Sequence, residues 1–124
     1  VYPAEQVDRL RQMKRLIDNL GELWLKGEME GKPAGVFVST ATTHGGQETT
    51  PLSMVPPLLH LGMIVCGVPY STPGMLHTEG RGGTPYGATT VAGGDNSLKP
   101  APEDLALARA MGRRVAEVAG KLRH

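Results

Sequence analysis

Apolar residues recur three or four apart at Val7, Leu10, Met13, Ile17, Leu20 and Trp24, with Leu16 and Leu23 beside them. Asp8, Arg9, Arg11, Lys14, Arg15 and Asp18 fill the positions between. This period predicts an amphipathic helix over about 4–20, entered at Pro3 and stopped by Gly21. After the polar turn KGEMEGKP the pattern changes. AGVFVST is short, continuous and β-branched, and predicts a strand over 34–40 buried on both faces, as in a parallel sheet. The glycine-bearing stretch ATTHGGQE follows as a turn. TPLSMVPPLLHLG is apolar enough for a helix, but Pro56 and Pro57 each remove an amide donor and crowd the preceding turn, at about 3 kcal/mol. A kinked or two-piece helix ending at Gly62 is therefore expected. MIVCGV, 63–68, predicts a second buried strand.

From 69 to 101 the chain shows no sustained period. A compact domain keeps so long a connection only where it is functional or disordered. Within it, RGGTPYGATTVAGGD contains Pro85, Tyr86 and several threonines, which is not the composition of a solvating tail, so order is expected. The last segment predicts a helix from Pro102, with Leu105, Ala108, Met111, Val115, Val118 and Leu122 along one face. Pro102 suits the first helical position. Glu103 and Asp104 complement the amino end, and Lys121 and Arg123 the carboxyl end.

Helix, strand, helix, strand, loop, helix is the alternation of an α/β layer fold with a parallel sheet and helices on both faces. Two clear strands and three helices are visible. A two-stranded parallel sheet has no protected edges, so these strands belong to a larger sheet or are completed by partners. The 124 residues fit a single domain, 1–124.

Composition narrows the function classes. The formal net charge is +1, and the basic cluster Arg11, Lys14, Arg15 reads as a solvated helix face, so no nucleic-acid partner is indicated. No apolar run reaches the length of a membrane span, and no signal peptide is visible. Cys66 is the single cysteine, which excludes an internal disulfide and suits the cytoplasm; set in an apolar strand, it reads as inert core. His77 and His124 lack metal-ligand companions, and no CxxC or HExxH spacing occurs, so no metal site is expected.

LGELW with Trp24, VFVSTATTHGGQETT and RGGTPYGATT, with LLHLGM and VPYS between the last two, together resemble the flavodoxin-like NAD(P)H:quinone oxidoreductases of the WrbA family, the type IV quinone reductases. The resemblance runs from about 12 to 122, and RGGTPYGATT carries most of it. It implies a flavodoxin-like fold and an enzyme that uses FMN, takes a hydride from NAD(P)H and delivers two electrons to a quinone, in a homotetramer. It further implies that Ser39, Thr40, Ala41, Thr42, Thr43, His44, Gly45 and Gly46 cradle the flavin ring system. A loop leaving the carboxyl end of a parallel strand suits this role, because successive amides can face the electron-rich edge of the ring. The other reading of these residues is an ordinary strand-to-helix turn.

By the same resemblance His60 stands beside the flavin, polarising a ring or quinone carbonyl as the catalytic residue. Its position also suits a helix-end histidine facing the dipole. Trp24 and Tyr70 are implied to shape the substrate cavity, although Trp24 equally fits a helix-end core position. RGGTPYGATT is implied to lie near the flavin site and the subunit contacts.

The chain departs from the family pattern at its start. The first three strands of the five-stranded sheet, and the serine-containing loop that holds the FMN phosphate, have no counterpart. Only Pro3 of YPAEQVD matches the second flavin loop, and Ala41 stands where glycine is common. The expectation is the C-terminal part of a larger flavodoxin-like domain; a natural truncated homologue is the other explanation. The alternative function is a non-catalytic interaction module that keeps the packing surfaces and holds no FMN. An electron-transfer flavodoxin fits less well, since those proteins are strongly acidic.

Overall fold

The computed structural model describes residues 12, 15 and 19–123. The helix expected over 4–20 lies almost wholly outside them. Gly21, expected to stop a helix, instead begins one: α1 spans Gly21–Leu25, with Trp24 N–H bonded to the Leu20 carbonyl at 2.9 Å. Glycine ends a helix by turning left-handed, and Gly21 is not among the glycines of positive φ.

The strand expected over 34–40 is divided into β1, Pro33–Ala34, and β2, Phe37–Thr40. β3 is Ile64–Val65, shorter than the expected 63–68. A fourth strand, β4, spans Ala88–Val91, inside the stretch read as loop. β1 pairs with β3 and β2 with β4, both in parallel. Ile64 and Cys66 donate to the carbonyls of Lys32 and Ala34 at 3.0 and 2.7 Å, and Ala88 and Ala92 donate to those of Val36 and Thr40 at 3.2 and 2.7 Å. These acceptors share one parity, so they point to one edge. β3 and β4 are thus successive halves of one neighbouring strand, parted by an excursion through 66–87. ATTV was missed because four residues after a glycine-rich turn carry no period of their own; a preformed partner edge recruits them.

The opposite edge carries the backbone groups of Gly35, Phe37 and Ser39, and has no strand beside it among the described residues. Side chains alternate between the two faces of the sheet, and burial follows the face. Ala34, Val36 and Thr40 are buried, while Phe37 is 80% exposed and Ser39 is exposed. The expectation of a strand buried on both faces does not hold for the described residues.

The second helix, α2, runs as one segment over Thr49–His60 through both prolines, not as two pieces. The carbonyls that Pro56 and Pro57 leave without amide donors belong to Leu52 and Ser53, both exposed, where water can serve them. The last helix, α3, spans Pro102–Leu122 as expected. Its buried stripe is Asp104, Leu107 and Met111, with Val115 and Val118 half-buried, while Leu105, Ala108 and Leu122 face outward. Both stripes have helical spacing; what α3 lies against decides between them.

The two longer helices lie on opposite faces of the sheet. Gln47, just before α2, bonds to Thr40 and Thr89, whereas Asp104 and Met111 of α3 meet Thr90 and the Gly35 side. The core under α3 joins Val68, Met75, Ala88, Leu107 and Met111. Met75 comes from the excursion, so that segment is anchored by burial of its own side chain. No described helix is long and apolar enough to cross a membrane.

Candidate functional site

β2 ends at Thr40, and residues 41–46 turn from its carboxyl end into α2. The turn winds about one oxygen. The Thr42 carbonyl accepts the Thr40 hydroxyl at 2.8 Å and the Gly45 amide at 3.1 Å. The Gly46 carbonyl accepts Thr50 N–H at 3.1 Å and starts the helix. Among the described residues, the amides of Ala41, Thr42, Thr43, His44 and Gly46 meet no protein acceptor. Their N–H groups lie on an exposed turn at the end of a parallel strand, with the amino end of α2 behind them. Free donors so grouped favour an electron-rich ligand edge.

This turn forms one wall of a cleft of about 400 Å³, lined by Thr43, His44, Gly46 and Gln47 on one side and His77, Gly80, Arg81, Gly83 and Thr84 on the other. The second wall is the returning limb of the excursion. It is held by a tight turn in which Thr84 and Gly87 pair, with the Thr84 hydroxyl bonded to the Gly87 carbonyl at 3.1 Å and accepting Tyr86 N–H at 3.2 Å. Arg81 lies 3.6 Å from Glu103 of α3, which draws it back toward that helix.

His60 and Trp24 lie elsewhere. They share a larger, mainly apolar groove of about 680 Å³ with Leu20, Gly21, Pro56, Pro57 and Leu61. The two prolines present flat apolar surface there, and Trp24 is 56% exposed beside them. His60 closes the last turn of α2, whereas the turn 41–46 opens its first. Eleven helical steps separate Thr49 from His60, roughly 16 Å at the α-helical rise. Within one copy of the chain, then, His60 does not share the cleft of Thr43, His44 and Gly46. Tyr70 lines neither cavity and is 59% exposed. Ser39 is exposed on the sheet face opposite Thr40, which is buried under the turn.

The sequence placed RGGTPYGATT, 81–90, near the flavin site but did not single out Gln47 or His77, nor the pairings of Thr89 with Gln47 and of Arg81 with Glu103. Gln47 was legible only as a polar residue at a turn-to-helix junction; its partner Thr89 is 42 residues away. No local pattern announces such a pairing. Asp95, in the exposed turn beyond β4, has its carboxyl held below the usual range by side-chain and backbone hydrogen bonds from Ser97, and lies outside both cavities. Among the described residues no three His, Cys, Asp or Glu side chains converge as a metal site would require.

No family model matches the chain. Curated relatives do. It is 53% identical over 113 residues to a protein of Solidesulfovibrio magneticus named NAD(P)H dehydrogenase (quinone), covering 90% of this chain and 56% of that protein. Proteins of the same name from Paraburkholderia phymatum and Chromohalobacter salexigens are each 53% identical over 112 residues, with the same coverage. The chain thus spans about half the length of the curated relatives it matches.

Proposed function

As a homologue of part of the NAD(P)H dehydrogenase (quinone) proteins, the chain, we propose, carries the flavin-ring cradle of an FMN-dependent NAD(P)H:quinone oxidoreductase. The observation that supports this most directly is the group of free amides at Ala41, Thr42, Thr43, His44 and Gly46, opening from the end of a parallel strand. Donors without protein partners, on a turn whose own carbonyl is already engaged, suit the electron-rich edge of an isoalloxazine ring. The proposal for this chain is confined to the ring, since the residues described offer no counterpart of the family's phosphate loop.

Bound there, FMN supplies two-electron transfer between NAD(P)H and a quinone, the hard chemistry of the reaction. The chain's own residues bind, orient and exclude water. The turn holds the ring edge through its amides. The groove of Trp24, Pro56 and Pro57 offers flat apolar surface to a planar substrate, and the His60 imidazole at its rim donates a hydrogen bond to a substrate carbonyl. No residue acts as a nucleophile.

A homo-oligomer, a tetramer by the likeness to the WrbA family, would set the groove of one copy against the turn of another, and so bring His60 and the turn, which lie at opposite ends of α2, to one ligand. The buried, unpaired thiol of Cys66 suits the reducing cytoplasm, where we place the enzyme.

The test is the visible spectrum of the purified protein with and without added FMN, together with NADH oxidation in the presence of benzoquinone. A yellow protein that turns over supports the reading. A colourless protein that assembles but never quenches FMN fluorescence sinks it for this chain. That outcome would favour a second reading, a non-catalytic interaction module, whose specific support is the sheet edge that has no strand beside it among the described residues, with Phe37 exposed there.

A further inference from the structure

We propose that Gln47 is a positioning residue that ties together the two walls of the cleft between 43–46 and 80–84, and so sets the opening offered to the flavin ring. The inference rests on the FMN reading above, and its test separates the two.

The Gln47 side chain sits in a continuous, one-way chain of hydrogen bonds. Gly83 N–H, on the far wall, donates to the Thr89 hydroxyl at 2.8 Å. That hydroxyl donates to the Gln47 Oε1. The Gln47 Nε2 donates to the Thr40 hydroxyl and, at 2.9 Å, to the Thr90 carbonyl. The Thr40 hydroxyl in turn donates to the Thr42 carbonyl at 2.8 Å, the oxygen about which the near wall winds. Each threonine hydroxyl donates once and accepts once, and both amide hydrogens of Gln47 are engaged. The amide orientation is fixed by this arrangement. Exchanging its oxygen and nitrogen would set Oε1 against the Thr90 carbonyl, two acceptors face to face.

Gln47 is 8% exposed, and Thr40 and Thr89 are also buried. In such surroundings each bond polarises the next, and an unpaired member is costly. A slack join at Gln47 would therefore not be relieved by water. Gln47 lines the cleft, but its amide is already engaged by protein, so its polar atoms serve the walls and not a ligand.

The experiment uses the full chain with Gln47→Leu, Thr89→Val and Thr89→Ser. FMN affinity is read by fluorescence quenching, and amide hydrogen exchange is read on the chain without FMN. Gln47→Leu and Thr89→Val should each weaken FMN binding about tenfold or more, the loss expected for one broken buried pair, while Thr89→Ser, which keeps the hydroxyl, stays close to the parent. Without ligand, Gly83 exchange should quicken in Thr89→Val, and both Gly83 and Gly45 exchange in Gln47→Leu. A folded Gln47→Leu or Thr89→Val protein that binds FMN like the parent overturns the proposal. So does a Thr89→Ser protein as weak as Thr89→Val, and so does Gly45 exchange that is unmoved in Gln47→Leu. Should Gln47→Leu not fold, the Thr89→Val and Thr89→Ser pair decides alone. If the parent takes up no FMN, the functional reading falls, and the exchange data still uphold or overturn the coupling.

Discussion

Gly67 lies against the carbonyl oxygen of Pro85, so close that a Cβ on residue 67 would overlap it. The next amide, Val68 N–H, donates to the same carbonyl at 3.0 Å. The excursion between β3 and β4 therefore leaves and rejoins the edge strand at one place, and absence of a side chain at 67 lets it close. Gly67→Ala should cost about 1–3 kcal/mol through forced backbone displacement. Urea unfolding would measure this; an unchanged midpoint would mean that the excursion closes elsewhere.

Leu107 is 1% exposed and joins α3 to Val68, Met75 and Ala88. Leu107→Ala should lower stability by about 2–5 kcal/mol, the transfer and cavity cost of a buried leucine. Leu105→Ala, two residues away on the outward face, should shift it by no more than about 0.5 kcal/mol in the isolated chain. A calorimetric comparison of the pair checks which stripe of the helix is packed.

Gly46 has φ of 104°, a conformation that side-chain-bearing residues avoid, and a Cβ there would sit 2.6 Å from the Thr50 hydroxyl oxygen. Gly46→Val should shift the turn and weaken FMN binding about tenfold or more, with any backbone strain on the order of 1–3 kcal/mol. Fluorescence quenching would report it. Undiminished affinity would remove the turn from the flavin site.

His60 stands at the far end of α2 from the turn. Its replacement by Ala should therefore reduce quinone turnover, by about a hundredfold if it donates a hydrogen bond in the reaction, while leaving FMN affinity nearly unchanged. Steady-state kinetics beside a binding titration separates the two effects. Turnover equal to the parent's would take His60 out of the mechanism.

Asp95 accepts hydrogen bonds from Ser97, including its amide at 3.1 Å, and these hold the carboxyl below its usual range. The folded pKa lies under the unfolded one. The small stabilisation is therefore present above the unfolded value of about 3.9 and is lost as pH falls through the lower folded value. Ser97→Ala should move the Asp95 titration upward, as followed by carboxyl carbon shifts in NMR. A titration that stays put would mean that the backbone bond alone holds it.

Local pattern was enough for what depends on neighbours in the chain. The helix at 102–122 was visible from its period and from Pro102 and the acidic first turn. The parallel alternation was visible in AGVFVST and MIVCGV, and the turn after Thr40 was visible in its glycines. The three motifs also pointed to the quinone reductase relatives. These features are set by side-chain size, backbone preference and spacing within a few residues.

Tertiary structure decided the rest. Whether Leu107 or Leu105 faces inward depends on what α3 lies against. ATTV becomes a strand because Val36 and Thr40 present carbonyls to it. His60 and the turn occupy different cavities because α2 runs as one helix between them, through Pro56 and Pro57, where a kinked or two-piece helix was expected. The Gln47 chain joins residues 42 and 43 positions apart in sequence. Each of these is a contact between distant segments, and its energy exists only once the chain has brought both partners together.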